Sequence, residues 1–163
     1  MSLPSYKYIK KLNGKRVLIR GGTSGIGFAV AEACFEYGAN IIISGSNSER
    51  LEKTVQRLRD CYGTVESRVH TYICDLSDED NLESNVEKLL QAATENGTQK
   101  LNHIAFTAGD SIPIQNVNDV TIPIIRKQEI VRMIAKHLDA YIGKAACQQL
   151  HHHRWHNVIG YAC

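Results

Sequence analysis

No apolar run in this 163-residue chain approaches the ~18–20 residues that a bilayer-crossing helix needs. The opening stretch, Met1-Ser-Leu-Pro-Ser-Tyr-Lys-Tyr8, lacks the apolar core of a secretory leader. An excess of one charge is also missing. Nineteen Lys and Arg stand against 17 Asp and Glu, a net +2, so the charge balance points to neither nucleic acid nor a membrane surface. The five cysteines, Cys34, Cys61, Cys74, Cys147 and Cys163, form no C-x-x-C pair. That argues against a metal cluster and fits reduced thiols, mostly small core fillers, in a cytoplasmic protein. Internal repeats and low-complexity stretches are absent too. The remainder is ordinary globular composition, 43% hydrophobic and 22% charged. One soluble domain over residues 1–163 is expected, and a domain of that size buries roughly 68–70% of its unfolded surface.

From Lys15 two kinds of segment alternate. Short β-branched runs, Arg16–Arg20, Ala39–Ser44, Val69–Cys74 and Leu101–Phe106, read as buried strands of a parallel sheet. Between them lie helical patterns. Gly25–Tyr37 carries Ile26, Val30, Ala33 and Cys34 on one face, with Gly38 as the stop. A second helix opens at Ser48 with Leu51, Val55 and Leu58 at helical spacing. A third runs from about Asp78 to Thr94, with Leu82, Val86, Leu89 and Leu90 inward, and Asn96-Gly97 then turns the chain. Strand and helix alternating at this spacing predict right-handed βαβ units and an α/β, Rossmann-type doubly wound parallel sheet.

Directly after the first strand comes Gly21-Gly22-Thr23-Ser24-Gly25-Ile26-Gly27, opening a helix. Glycine suits a tight turn where backbone must approach a pyrophosphate, and the helix start behind it offers N–H groups and partial positive charge. A Gly-rich strand-to-helix turn is the plainer alternative. Two further features lie at the carboxyl ends of predicted strands, where open α/β sheets bind ligands: Asp75-Leu76 after the third and Thr107-Ala108-Gly109 after the fourth. Singly, Asp75 could cap a helix and Ala108-Gly109 could be a turn; in this order they support a dinucleotide site.

On these residues the chain resembles the short-chain dehydrogenase/reductase family over about Leu12 to Asp139. That family shows T-G-x-x-x-G-I-G, an Asp after strand three and N-N-A-G after strand four. Here Arg20 replaces the Thr, and Phe106-Thr107-Ala108-Gly109 loses both Asn. The resemblance implies an adenine contact for Asp75 and a nicotinamide dinucleotide as cofactor. It also suggests the fungal secondary metabolism that divergent members serve. A methyltransferase-type Rossmann fold fits the glycine spacing with Asp75 and Ala108-Gly109 less well.

Cofactor flavour is read at the end of strand two, Ser44-Gly45-Ser46-Asn47-Ser48-Glu49-Arg50. A site for NAD places Asp or Glu near Gly45 to hold the ribose hydroxyls, and none is there. Ser46 and Asn47 can hydrogen-bond a 2′-phosphate and Arg50 can pair with it, so NADP is favoured over NAD. Family NADP enzymes often carry Arg where Ser46 sits, and Arg50 could instead be an exposed helix residue near Glu49 or Asp60.

In the family a Ser polarises the substrate carbonyl, a Tyr in Y-x-x-x-K moves the proton, and the Lys lowers the Tyr pKa. Only Tyr6 to Lys10 has that spacing here, ahead of strand one, and Tyr141 to Lys144 is one residue short. No catalytic residue is assigned, and no metal. Arg132 falls near the family's catalytic Asn and could lie beside the nicotinamide, or equally could be a solvated helix arginine. The expectation is an NADP(H)-dependent short-chain oxidoreductase by ancestry, acting on a carbonyl or alcohol but impaired as it stands. The alternative is a non-catalytic NADP(H)-binding or oligomer-docking fragment, with a homo-oligomer left open.

The tail is atypical: four of seven His fall among residues 151–156, with no acid or Cys to frame a metal site. Shifting the coding frame forward one base turns each of those His codons into Ile or Thr and the Trp155 codon into Gly. With suitable codons this reads Ser-Ser-Ile-Thr-Thr-Gly-Gly, a β-branched strand entering a Gly-rich turn. Residues from about 145 to 163 are therefore expected to be out of frame. The genomic DNA should show the shifted frame continuing the family pattern; an early stop codon there removes the idea.

Overall fold

The computed structural model describes residues 11–78, 80–109 and 116–125. Four parallel strands, β1 (Arg16–Arg20), β2 (Asn40–Gly45), β3 (Val69–Ile73) and β4 (His103–Phe106), form one sheet in the order β3-β2-β1-β4. Helices α1 (Gly25–Glu36), α2 (Ser48–Tyr62) and α3 (Leu82–Ala93) connect them. The chain steps outward from β1 to β2 to β3, then returns through α3 to pair β4 on the other side of β1. That reversal makes the gap beyond the ends of β1 and β4 the topological switch point of the sheet.

Strand alternation divides the core in two. Val17 and Ile19 of β1 with Ile41 and Ile43 of β2 face Phe28, Ala31 and Phe35 of α1 and Leu51 and Leu58 of α2. Leu18 and Ile42 point the other way, onto Val86, Leu89, Leu90 and Ala93 of α3. Both central strands are thereby buried on two faces, as expected for a parallel sheet with helices above and below.

Several boundaries and one helix face differ from the sequence expectation. The buried face of α1 is Gly27, Phe28, Ala31 and Phe35, whereas Ile26 and Ala33 are exposed and Val30 and Cys34 half-buried. Phe28 and Phe35 are the larger apolar bodies, and the helix turns to bury them. β3 is not fully buried: His70, Thr71 and Ile73 are exposed on the outermost described strand. α3 begins at Leu82 rather than near Asp78, because the Asp78 carboxylate accepts hydrogen bonds from the backbone and side chain of Asn81 and holds a turn there. Of the described cysteines Cys74 is buried, Cys34 half-buried and Cys61 exposed, so core filling accounts for only part of them. Gly38 (φ +87°) ends α1, and Glu95, Asn96 and Gly97, all at positive φ, reverse the chain after α3. No described helix is long and apolar enough to cross a membrane. Arg132, both Tyr–Lys pairs and the 145–163 tail lie outside the described residues.

Leu18 has no exposed surface and joins both central strands to α3. Leu18→Ala should cost about 2–5 kcal/mol, read as a lower urea midpoint at unchanged slope. Ile26→Ser, at a position 78% exposed, should shift stability by less than about 0.5 kcal/mol.

Candidate cofactor site at the strand ends

A cleft of about 390 Å³ opens where β1 and β4 diverge. Its floor is the glycine loop. Gly21 leaves β1 at φ +80°, and its N–H donates to the Ser44 carbonyl at 2.8 Å, tying the loop to the end of β2. A side chain at Gly21 would place its Cβ 2.5 Å from the Ala108 backbone nitrogen. One at Gly27 would collide with the Gly21 carbonyl oxygen and the Thr107 hydroxyl. Only hydrogen lets the first turn of α1 sit against the exits of β1 and β4. Gly25, Ile26 and Gly27 open that helix at the cleft wall, where its partial positive charge is concentrated.

The other walls come from the neighbouring strand ends. Thr107 closes the β4 side: its backbone N–H and its hydroxyl both donate to the Arg20 carbonyl at 2.8 Å. Ala108 and Gly109 continue that wall. On the β3 side Asp75 accepts from the Ser77 N–H (2.9 Å) and hydroxyl (2.7 Å). These bonds, the backbone one foremost, hold its carboxyl below the usual carboxylate range, with the Arg20 charge adding to them. Asp75 is thus an exposed, firmly ionised acceptor. Leu76 meets the cleft while its side chain packs into the α3-side core.

At the end of β2, Ser46 and Arg50 line the cleft. Arg50 forms no ion pair among the described residues, and the nearby Glu49 is taken by Lys53 at 2.6 Å. Thr54, one turn further along α2, is buried; its hydroxyl donates to the Arg50 carbonyl at 2.7 Å and lies 3.4 Å from the Thr23 carbonyl.

Of the residues singled out from sequence, Gly21, Thr23, Ser24, Gly25, Ile26, Gly27, Ser46, Arg50, Asp75, Leu76, Ala108 and Gly109 meet around this one cleft. Asn47 does not line it. Its side-chain oxygen accepts from the Arg50 N–H at 2.9 Å as the N-cap of α2, a short polar side chain satisfying an otherwise unpaired helix donor. Arg20, Gly45, Ser77 and Thr107 also line the cleft. Thr107 was named in the sequence with its turn, and Arg20 only as the replacement for the family's Thr, without a role in the site. Among the described residues no cluster of His, Cys, Asp or Glu could hold a metal.

The model of the SDR-like Rossmann domain matches residues 8–152. The chain is 38% identical over 143 residues to the short-chain dehydrogenase/reductase fsr5 of Gibberella fujikuroi, covering 82% of this chain and 53% of that protein. It is 43% identical over 134 residues to the short-chain dehydrogenase/reductase malC of Malbranchea aurantiaca, covering 79% and 48%. The solved structure of the MalC reductase/Diels-Alderase superposes with a TM-score of 0.69 at 41% identity, over 81% of this chain and 51% of that one. The chain therefore spans about half the length of the curated relatives it matches. A glycine loop, an acidic strand end and an Ala-Gly turn converge on one switch point, and the matches run through that same sequence. The chain belongs to the short-chain dehydrogenase/reductase family, whose Rossmann domains bind nicotinamide dinucleotides.

Proposed function

We propose that this chain is the cofactor-binding part of an NADP(H)-dependent oxidoreductase that exchanges hydride with a carbonyl or alcohol carbon. The observation that carries the reading is the end of β2. It presents Ser46 and an Arg50 without an ion-pair partner among the described residues, where a carboxylate would favour the ribose hydroxyls of NAD. In this reading the pyrophosphate lies against the first turn of α1, where free N–H groups and the helix dipole meet its charge. The 2′-phosphate faces Ser46 and Arg50, and the adenine lies between Asp75-Leu76 and Ala108-Gly109. Asp75, ionised and fixed by Ser77, accepts from the adenine amino group. Arg132 is assigned to the nicotinamide end of the same ligand. The bound dinucleotide supplies the hydride chemistry; the chain's own residues bind, orient and neutralise it. The 3-oxoacyl-[acyl-carrier-protein] reductase FabG of Rickettsia prowazekii, 30% identical over 77% of this chain, is consistent with a reductive direction.

Proton transfer is a separate requirement, typically worth about 10²–10⁴-fold. The only Y-x-x-x-K in these 163 residues is Tyr6 to Lys10, ahead of β1. These 163 residues as given are therefore proposed to hold the dinucleotide with little or no turnover.

Calorimetric titration should show NADPH bound more tightly than NADH. Arg50→Ala should weaken NADPH about 10-fold while sparing NADH, the scale of one charge-assisted contact at an exposed site. Equal affinity for the two dinucleotides in the unaltered chain would remove the NADP reading. A spectrophotometric assay with NADPH and a panel of ketones should stay at the background rate; turnover at tens per second would place a proton donor in the chain.

A further inference from the structure

β1 ends on a residue that is foreign to a sheet core. Arg20 follows Leu18 on the α3-side face and is only 5% exposed. Its Nη1 donates to the buried Ser44 hydroxyl at 3.0 Å. Its Nε is fully enclosed and has no hydrogen-bond partner among the described residues. The guanidinium senses the Asp75 carboxylate just past the end of β3, yet no ion pair joins it to a carboxylate among the described residues. Burial pushes its pKa below the ordinary arginine value, against the pull of that carboxylate, and an arginine remains charged throughout the working range. Five donors with one neutral acceptor leave a desolvated cation undercompensated, an arrangement that is costly unless something else supplies the counter-charge.

The side on which Arg20 meets open space is the cleft. Its side chain reaches to the end of β2, where the Ser44 hydroxyl accepts from it, and feels the Asp75 carboxylate past the end of β3. Ser44 holds it there, and Ser46, just past the end of β2, lines the same cleft. Arg50 lines the cleft beside them. We propose that Arg20 is an anchoring cation of the coenzyme site, its guanidinium taking the phosphate on the adenosine 2′ position from below while Ser46 and Arg50 take it from the β2 end. This rests on the NADP(H) reading above and adds a residue that reading does not use. A phosphate dianion supplies the missing charge and can accept from guanidinium N–H groups on the cleft side, the enclosed Nε apart, whereas an adenine ring nitrogen supplies one neutral acceptor. Ser44 is then a positioning residue. Its hydroxyl fixes one edge of the guanidinium and leaves the other turned to the ligand.

The test uses the full chain with two pairs of ligands: adenosine 2′,5′-bisphosphate against adenosine 5′-monophosphate, and NADPH against NADH. Arg20→Met removes the charge at similar length, and Arg20→Lys keeps it. Arg20→Met should weaken both 2′-phosphorylated ligands about 10- to 100-fold and change the other two by less than about 3-fold, with Arg20→Lys recovering part of the loss. An equal loss for all four ligands would mean that Arg20 supports Asp75 or the sheet, and overturns the proposal. An unchanged preference with Arg20→Met also overturns it, while leaving the NADP(H) reading intact through Arg50. No preference in the unaltered chain removes both. Should Arg20→Met fail to fold by circular dichroism, phosphorus NMR of the bound 2′-phosphate decides. Its second ionisation, about 6 in the free ligand, should move down on binding and move part of the way back in Arg20→Lys. The free-ligand value retained in the complex rejects the proposal.

Discussion

Where β1 and β4 leave the sheet, their backbones pass so close that no side chain fits between Gly21 and Ala108. The carbonyl of Arg20 receives two hydrogen bonds from Thr107 at that same place, and the N–H of Gly21 is given to β2. Three strand ends are thereby joined through the backbone before any side chain has to recognise a ligand. The geometry of the cleft follows from this junction. The helix that starts behind Gly21 can lie only along one direction, and its amides face outward into the cleft. A parallel sheet with a reversal in strand order produces such a junction once, between the two strands that were laid down in opposite directions from the centre.

The hydrophobic core serves this arrangement by holding β1 and β2 from both faces. Val17, Ile19, Ile41 and Ile43 interlock with α1 and α2, and Leu18 and Ile42 with α3. A close-packed interior transmits displacement, so the relative height of the strand ends is set by side chains that never approach the cleft. The two arginines of β1 mark the limits of the apolar layer. At the entry, Arg16 is satisfied by the Ala93 carbonyl and by Glu95. At the exit, the Arg20 side chain has one hydrogen-bond partner among the described residues, the neutral Ser44 hydroxyl. One strand therefore carries a fully compensated buried cation at its structural end and an undercompensated one at its binding end.

The alternation of strands and helices was legible because each element declares its own period, and the glycine loop because few other residues tolerate such a path. Asp75 and Ala108-Gly109 were legible as strand-end features once the strands were placed. Three things were not. The buried face of α1 was misjudged because that helix is apolar nearly all round, Ile26 and Val30 included, and only packing decides that the two phenylalanines go inward. The capping role of Asn47 was hidden because a short polar residue between strand and helix serves equally as ligand contact or cap, and only the structure shows its oxygen accepting from the Arg50 N–H. Arg20 stood out in the sequence as the replacement for the family's Thr, but its surroundings were hidden for a different reason. A strand residue shows its partners only in three dimensions, and its isolation follows from which acceptors the neighbouring strands happen to lack.

The buried hydroxyl of Thr54 sits between the first turn of α2 and the carbonyl of Thr23 in the glycine loop. Its one proton goes to the Arg50 carbonyl, so loop and helix touch there without a strong bond, although some thirty residues separate them along the chain. Glycine-rich segments ordinarily exchange their amide hydrogens quickly, since little opposes local opening. Here the loop lies against a helix that is itself pinned by Leu51 and Leu58. Where it touches that packed helix, a loop rich in glycine has a wall behind it, and its amides are expected to exchange more slowly than those of a free one.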